Sequence, residues 1–193
     1  MTMTKSLILM GIKHCGKTTQ GKRLARHFGC DFFDTDDLIL EQTGMTPRAL
    51  YATQGSDAFL RAEENACRIL SGRHGSPCVV ATGGGICNNA GAVELLRGMG
   101  TFVFLNADET TACDRIIREI HIQENGNLGN LPAYIARENP RSIDDVRKSF
   151  HRFYVARQSL YKAICDIRVD MKAAPKAENM AQILAALAAG CGE

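Results

Sequence analysis

An apolar run, a glycine-bounded loop and a helical segment follow one another near the start of the chain, and this order constrains the fold more than any other feature. The run is Ser6-Leu-Ile-Leu-Met10, and the next eight residues, from Gly11 to Thr18, match the pattern G-x-x-x-x-G-K-[ST]. Apolar residues share one face of the helix predicted over 20–28. The pattern requires a strand before it and a helix after it, and both are present, which argues against a chance glycine turn. The sequence therefore predicts a phosphate-binding loop.

The residue types of this loop suit the binding of phosphates. Glycines let successive backbone N–H groups point at phosphate oxygens, and the helix N-terminus adds a favourable partial charge. Lys17 is expected to bridge the terminal phosphates, and the Thr18 hydroxyl to bind Mg²⁺. The predicted nucleotide-binding residues are Gly11, Lys13, His14, Cys15, Gly16, Lys17, Thr18 and Thr19, together with Arg115 from a later helix.

Strand-like and helix-like segments alternate along the rest of the chain. Further strands are predicted at 30–34, 78–81, 101–105 and 167–170, and further helices at 36–42, 47–53, 57–70, 91–97, 110–120, 142–164 and 177–189. This alternation is typical of a three-layer α/β fold, with a mostly parallel central sheet and helices on both faces. Residues 125–130 interrupt the pattern and are expected to form a mobile loop. A length of 193 residues suits one domain over 1–193.

The composition restricts the possible partners. A net charge of +2, no Trp and an aromatic content of 6% do not suit a nucleic-acid partner, which calls for a basic stripe and stacking residues. We expect no membrane partner, because the first apolar run is too short for a signal-peptide core or a membrane span. The 8 cysteines contain no Cys-x-x-Cys pair, so we interpret them as free thiols of a cytoplasmic protein. We expect a monomer or weak dimer.

A pair of carboxylates, Asp34 and Asp36, follows the second predicted strand. Alternate residues of a strand point the same way, so both side chains are expected to face the ligand crevice at the carboxyl edge of the sheet. One carboxylate would hold Mg²⁺ directly or through water, and the other would accept a proton from an attacking hydroxyl. The alternative is that Asp36 or Asp37 only caps the following helix.

Several phrases of the chain, taken in order, resemble the shikimate kinase family. They are Gly11 to Thr19, Phe33-Asp34-Thr35-Asp36, Gln42-Thr43-Gly44, Phe59 with Glu63-Glu64, Gly83-Gly84-Gly85, and Ala156-Arg157-x-x-Leu160-Tyr161 followed by Val169-Asp170. The resemblance spans nearly the whole chain. It implies a P-loop kinase fold of the nucleoside-monophosphate-kinase type with a mobile lid, here over about 116–150. It also implies that ATP phosphorylates a hydroxyl of shikimate, giving shikimate 3-phosphate and ADP.

The resemblance also assigns roles to individual residues. Mg²⁺ would be held by Thr18 and Asp34, and the catalytic residues would be Lys17 and Asp36, with Asp36 orienting and deprotonating the acceptor hydroxyl. The acceptor-binding residues would be Asp36, Arg61, Gly83, Gly84, Gly85 and Arg157. Glycines permit close approach of the backbone, and the Arg157 guanidinium offers a bidentate fork to a carboxylate.

Three positions depart from the family's pattern. Leu60 stands where an arginine usually follows the phenylalanine, and Arg61 is rotated from it by about 100° on a helix. Asn130 stands where the family's Arg-Pro-Leu-Leu lid phrase has its arginine, and His14 replaces a glycine of the phosphate loop. The substitutes for the lid arginine that the chain offers are Arg137, Arg141, Arg147, Lys148 and Arg152, and the alternative for most of them is a solvated charge on a helix.

These departures leave two interpretations of the acceptor. The chain is either a divergent shikimate kinase, or a related enzyme for another small hydroxy acid such as homoserine or a sugar acid. A non-catalytic nucleotide-binding module would also keep the phosphate loop, but it has no need of Asp36 together with Gly83 to Gly85. A GTPase switch would need an Asn-Lys-x-Asp phrase, which the sequence lacks.

Overall fold

The computed structural model describes residues 3–73, 75–124 and 126–190 of the 193-residue chain. The strands found in these residues are β1 (Ser6–Met10), β2 (Phe32–Asp34), β3 (Val79–Ala81), β4 (Gly100–Ala107), β5 (His121–Ile122), β6 (Leu128–Gly129) and β7 (Ile167–Met171). Five of them form one sheet in the order β2-β3-β1-β4-β7, and each pair of neighbours is parallel. The predicted parallel sheet is thus confirmed, and each predicted strand ends within two residues of its observed limits.

The α-helices found in the described residues are α1 (Lys17–Phe28), α2 (Thr35–Thr43), α3 (Pro47–Ser71), α4 (Ala90–Arg97), α5 (Glu109–Ile117), α6 (Ala133–Ala136), α7 (Ile143–Ile164) and α8 (Lys176–Gly190), and a short 3₁₀ helix covers Ile86–Asn88. The predicted helices over 47–53 and 57–70 are the two halves of α3, which is interrupted at Gly55 with φ 82°. Sequence patterns missed α6, because four residues carry no periodic signal. None of the described helices is both long and apolar enough to cross a membrane.

The sheet is buried on both faces, as its continuous apolar strands require. Along β1, Leu7 and Leu9 belong to one hydrophobic cluster, whereas Ile8 and Met10 belong to a second. Because successive side chains of a strand point to opposite faces, these clusters lie on the two sides of the sheet. The structure therefore has the predicted three layers.

The loop expected over 125–130 is partly ordered. Asn125 lies outside the described residues, but β5 pairs with β6 in a short antiparallel hairpin, with His121 opposite Gly129. The expectation of an irregular loop is wrong for Leu128–Gly129. Strands of two residues are too short to show alternation, so the sequence had no signal for them.

The phosphate loop emerges from β1 at the centre of the sheet. β2 and β3 lie on one side of β1, whereas β4 and β7 lie on the other. Such a reversal of strand order leaves a crevice at the carboxyl edge of a parallel sheet, where ligands bind. The fold thus places the residues after β1, β2 and β3 around one crevice.

Candidate active site

The phosphate loop has the backbone shape that its glycines permit. Gly11 has φ 146°, and a Cβ there would lie 2.5 Å from the carbonyl oxygen of Leu105, so no other residue fits. The Lys17 ammonium donates to the carbonyl oxygens of Gly11 at 2.8 Å and Ile12 at 3.1 Å. These contacts hold the ammonium inside the curl of the loop, where the terminal phosphates of a nucleotide would meet it.

Two oxygen ligands suited to a divalent cation meet beside the loop. The Thr18 hydroxyl donates to Oδ2 of Asp34 at 2.8 Å, and Oδ1 of Asp34 accepts from the backbone N–H of Asp36 at 3.1 Å. Among the described residues no group of three or more His, Cys, Asp and Glu side chains is arranged to hold a metal. A Mg²⁺ bound by two protein oxygens, with phosphates and water completing its shell, fits this geometry.

Asp36 lies in the first turn of α2 and lines the crevice. The strand-based argument for its direction is therefore wrong, because the strand ends at Asp34 and the following residues are helical. The alternative that Asp36 or Asp37 caps the helix is also wrong, since Asp34 is the capping residue. Burial, followed by the nearby Asp34 carboxylate, raises the pKa of Asp36 to about 6. A carboxylate with a pKa near the working pH is suited to accept a proton.

A second buried carboxyl group, on Glu63, lies close to Asp36. Glu63 is 0% exposed, and its Oε2 accepts from the Asn89 amide at 3.0 Å, while Oε1 has no hydrogen-bond partner in the described part of the chain. A Cβ on Gly83 would lie 3.1 Å from both Asp36 Oδ1 and Glu63 Oε1, so these oxygens are at most twice that distance apart. Burial raises the pKa of Glu63 to about 7, although the Asn89 hydrogen bond opposes this.

The glycines after β3 are fixed between the phosphate loop and two helices. The N–H of Gly83 donates to the Thr35 hydroxyl at 3.0 Å, and the Tyr161 hydroxyl donates to the carbonyl of Gly84 at 2.6 Å. A Cβ on Gly84 would approach the backbone nitrogen of Lys13 to 3.0 Å. The missing side chains of these glycines therefore allow the backbone of Gly84 to pack against that of Lys13, and they leave space for a ligand to approach the backbone.

Arg157 is a buried cation on the wall of the crevice. It is 9% exposed, and its guanidinium carbon lies 4.6 Å from the centre of the Tyr134 ring and 5.4 Å from that of Phe153. A Cβ on Gly85 would lie 3.8 Å from Nη2 of Arg157. Within the described residues Arg157 forms no ion pair at 4 Å or less, and its Nε has no hydrogen-bond partner. A buried guanidinium without a carboxylate is suited to bind an anionic ligand.

The structure separates Leu60 from Arg61. Leu60 lines the crevice, whereas Arg61 is exposed and is not among the residues that line it. The expected acceptor-binding residue Arg61 is thus turned away from the crevice lining, because one residue on a helix turns the side chain by about 100°. The wall at this point is apolar.

Of the five substitutes considered for the lid arginine, only one lines the crevice in the described structure. This residue is Arg137. Arg141, Lys148 and Arg152 border a separate depression of about 280 Å³, and Arg147 pairs with Asp114 at 2.9 Å. The side-chain oxygen of Asn130, at the expected lid position, accepts from Arg48 at 2.8 Å, and Asn130 is not among the residues that line the crevice.

Further cations surround the phosphate loop. Arg115 donates to the carbonyl of His14 at 2.6 Å, and the His14 ring lies 3.3 Å from a carboxylate oxygen of Glu119. Burial lowers the pKa of His14, with the Glu119 carboxylate acting in the opposite sense. Both Arg115 and His14 line the crevice beside the loop, which is where the sequence placed the nucleotide.

The crevice as a whole is large and positively charged. Its volume is about 1150 Å³, which is enough for a nucleotide and a small second substrate. The cations on its walls are Lys13, Lys17, Arg48, Arg115, Arg118, Arg137, Arg157, Lys172 and Lys176, and the carboxylates are Asp34, Asp36 and Glu119. Such an excess of positive charge attracts phosphates and other anions.

Sequence reasoning missed several residues of this site. Asn89 orients Glu63 and also donates to the carbonyl of Leu60 at 2.9 Å, yet nothing in the local sequence distinguishes it from an ordinary helix cap. Tyr134 and Phe153, which flank Arg157, were likewise not predicted. Tyr134 meets Arg157 across 23 residues of sequence, which no short pattern reveals, whereas the four-residue spacing of Phe153 and Arg157 on α7 could have been used.

Comparisons with known proteins agree with this geometry. The sequence profile described as "SKI: Shikimate kinase" matches residues 13–188. Shikimate kinase 2 of Pectobacterium carotovorum is 30% identical over 185 residues, covering 96% of this chain and 97% of the relative. Shikimate kinase of Thiobacillus denitrificans is 30% identical over 170 residues, covering 88% and 83%.

Solved structures show the same fold. Shikimate kinase from Acinetobacter baumannii in complex with shikimate superposes with a TM-score of 0.78 at 22% identity, covering 98% of this chain and 96% of that one. Shikimate kinase from Bacteroides thetaiotaomicron gives 0.74 at 20% identity, covering 95% and 98%. The sequence profile and the near-full-length relatives establish that the chain belongs to the shikimate kinase family.

Proposed function

We infer that this protein is a shikimate kinase, a phosphotransferase that moves the γ-phosphoryl group of ATP to a hydroxyl group of shikimate. The observation that supports this acceptor most directly is the single crevice that holds the phosphate loop, Asp36 and the unpaired guanidinium of Arg157. The phosphate loop suits the donor, Asp36 suits a hydroxyl, and the guanidinium suits a carboxylate. Shikimate carries both of the groups that the acceptor half of the crevice fits.

The reaction is an in-line displacement at the γ-phosphorus. The acceptor oxygen forms a bond to phosphorus as the bond to the β-phosphate oxygen of ADP breaks, and the hydroxyl proton passes to the Asp36 carboxylate. Lys17 and Arg115 lie on the phosphate side of the crevice and stabilise the charge of the phosphoryl oxygens. Thr18 and Asp34 would hold Mg²⁺, which supplies further neutralisation of phosphate charge when it is bound.

A second candidate is the phosphorylation of another small hydroxy acid. Leu60 favours it, because an apolar wall replaces one of the expected contacts to the acceptor's carboxylate. A gluconokinase from Sinorhizobium meliloti has the same fold, with a TM-score of 0.53 at 19% identity, so the architecture accommodates more than one acceptor.

A comparison of acceptors separates the two candidates. ADP release by the purified protein is measured with ATP, Mg²⁺ and, in turn, shikimate, homoserine, gluconate and nucleoside monophosphates. We expect shikimate to give the highest kcat/KM. Gluconate or homoserine turning over faster would favour the second candidate, and no acceptor-dependent release would favour a non-catalytic nucleotide-binding module.

Two matched variants test the role of Asp36 in the same assay. Asp36→Asn removes the proton acceptor and should lower kcat by roughly 10²- to 10⁴-fold while ATP binding survives. Asp37→Asn alters the exposed neighbouring carboxylate and should leave kcat unchanged. Normal turnover by the Asp36 variant would show that another group accepts the proton.

The remaining proposals concern the domain organisation, the oligomeric state and the location of the protein. We propose that residues 1–193 form one kinase domain whose lid spans about 116–150, and that the protein is a monomer or weak dimer, which sedimentation analysis tests. The cysteines with free thiols are Cys15, Cys30, Cys67, Cys78, Cys87, Cys113 and Cys165. Cys191 lies outside the described residues. The free thiols support a cytoplasmic location.

A further inference from the structure

Arg137, one of the five arginines of the described residues that line the crevice, is not hydrogen-bonded to the phosphate loop. Arg137 follows the last residue of α6 and lines the crevice. Its Nη1 donates to the Tyr51 hydroxyl at 2.5 Å, and its guanidinium carbon lies 5.8 Å from the centre of the Tyr51 ring. The ring of Tyr51 in turn meets Phe59 edge-on, with 6.0 Å between centres. Arg137 is thereby held against Tyr51 in the first half of α3, and Phe59, which Tyr51 contacts, immediately precedes Leu60 in the second half.

Arg137 and Arg157 share the side of the crevice that α6 covers. Tyr134 packs on the Arg157 guanidinium at 4.6 Å and precedes Arg137 by three residues. Residues three apart on a helix lie on the same face, so the helix turn that covers Arg157 also presents Arg137. The two guanidinium groups therefore approach the crevice from one direction.

The charge of Arg137 is not neutralised within the protein. In the described part of the chain it forms no ion pair within 4 Å, whereas Arg147 pairs with Asp114 and Arg152 pairs with Glu138. Its hydrogen-bond partner, the Tyr51 hydroxyl, is neutral. An arginine that lines a ligand crevice without a carboxylate partner is available to an anionic group of the ligand.

The phosphate side already has its own cations. Lys17 and Arg115 are hydrogen-bonded to carbonyls of the phosphate loop, whereas Arg137 is fixed to α3, on the acceptor side. We propose that Arg137 is a specificity-determining residue that binds the carboxylate of the acceptor together with Arg157, with Tyr51 holding it in position. This inference rests on the proposed function and extends it, because it names the residue that selects for an acidic acceptor where Leu60 offers no charge.

Kinetic constants for two substrates test the proposal. In Arg137→Met the aliphatic stem is retained and the charge is lost, so the KM for shikimate should rise roughly ten- to a hundredfold, as for a lost hydrogen bond to a charged group. The KM for ATP should stay within about twofold of the original. Arg141→Met, which removes a cation outside the crevice, should change neither constant. Arg137→Lys should recover part of the loss, since it restores the charge without the fork.

An uncharged acceptor supplies a readout that a structural defect would not reproduce. With the methyl ester of shikimate, the original protein and Arg137→Met should have the same kcat/KM, because no carboxylate remains to be bound. Equal melting temperatures of the two proteins would confirm that the variant folds. A raised KM for ATP with an unchanged KM for shikimate would overturn the proposal and make Arg137 a phosphate-binding lid cation, and unchanged constants would overturn it altogether.

Calorimetric titration of shikimate, in the presence of a non-hydrolysable ATP analogue, distinguishes failure of this inference from failure of the proposed function. Binding that is lost in Arg137→Met supports the inference even if shikimate is not phosphorylated. Equal binding by both proteins contradicts the inference and leaves the function intact. No binding by the original protein contradicts both.

Discussion

The buried carboxyl group of Glu63 should make the stability of the protein depend on pH in a direction opposite to that of most acids. Glu63 is 0% exposed, and burial raises its pKa from 4.5 to about 7. Glu63→Gln keeps the size of the side chain, offers an oxygen to the Asn89 amide and cannot ionise. Comparing the two proteins over a range of pH therefore isolates the cost of ionising Glu63.

The sign and size of the effect follow from linkage between proton binding and folding. Between pH 4.5 and about 7 the unfolded chain has lost the Glu63 proton while the folded protein still binds it, so stability falls as pH rises through this window. Above it the loss is complete, and it amounts to about 3 kcal/mol at 1.36 kcal/mol for each pH unit of the interval. The Gln variant is free of this loss.

Urea unfolding of the nucleotide-free protein at pH 5, 6, 7 and 8 measures the effect. The free energy of unfolding of Glu63→Gln, relative to the original protein, should increase by about 2.5 kcal/mol from pH 5 to pH 8, because part of the titration interval lies below pH 5. Glu94→Gln, which changes an exposed carboxyl group on α4, should show no such trend. A difference between Glu63→Gln and the original protein that is constant across this range would refute the reasoning.

Three further substitutions test other contacts of the site. Lys17→Ala should lower kcat by at least about a hundredfold, with an unchanged circular dichroism spectrum, because the ammonium that meets the phosphates is removed; retained turnover would contradict this. Tyr161→Phe should reduce the free energy of unfolding in urea by about 1 kcal/mol, since the 2.6 Å bond to Gly84 is lost; unchanged stability would show that the bond contributes nothing. Gly84→Ala should weaken ADP binding in calorimetry, because its Cβ would press on the backbone of Lys13 at 3.0 Å, whereas Gly75→Ala, which meets open space, should not; equal affinities would show that the loop adjusts freely.

The parts of the fold that depend on local pattern were predictable. The apolar run of β1 and the glycine loop after it are adjacent in the chain, so their residues alone specify the strand, the turn and the start of α1. The helix predicted over 36–42 is observed as α2, and Gly44, with φ 67°, ends it, as glycines commonly end helices. Here the local preference and the final structure agree.

The site was less predictable where a difference of one residue changes the direction in which a side chain points. Asp36 was expected to alternate with Asp34 along a strand, but the Asp34 carboxylate caps α2 and turns the chain into a helix at that point. Leu60 and Arg61 are neighbours in sequence, and only the packing of α3 determines that Leu60 faces the crevice. Short-range sequence patterns do not determine the rotation of a helix about its own axis. They therefore cannot decide which of two adjacent residues faces the crevice.

Contacts between segments that are distant in the chain could not be predicted from the sequence. Glu63 looks like its half-buried neighbour Glu64 in the sequence, and its full burial follows from the approach of Asn89 and Gly83. The unpaired charge of Arg137 is likewise visible only once α6 is placed against Tyr51. Such residues acquire their roles from tertiary structure.

The identity of the product tests the central claim most directly. The purified protein is incubated with ATP, Mg²⁺ and shikimate, and ³¹P nuclear magnetic resonance follows the phosphorus species over time. We predict that one phosphate ester of shikimate forms for each ADP released, and that Asp36→Asn forms it at least about a hundredfold more slowly. ADP accompanied by inorganic phosphate alone, or formed no faster than without shikimate, would contradict the assignment of this protein as a shikimate kinase.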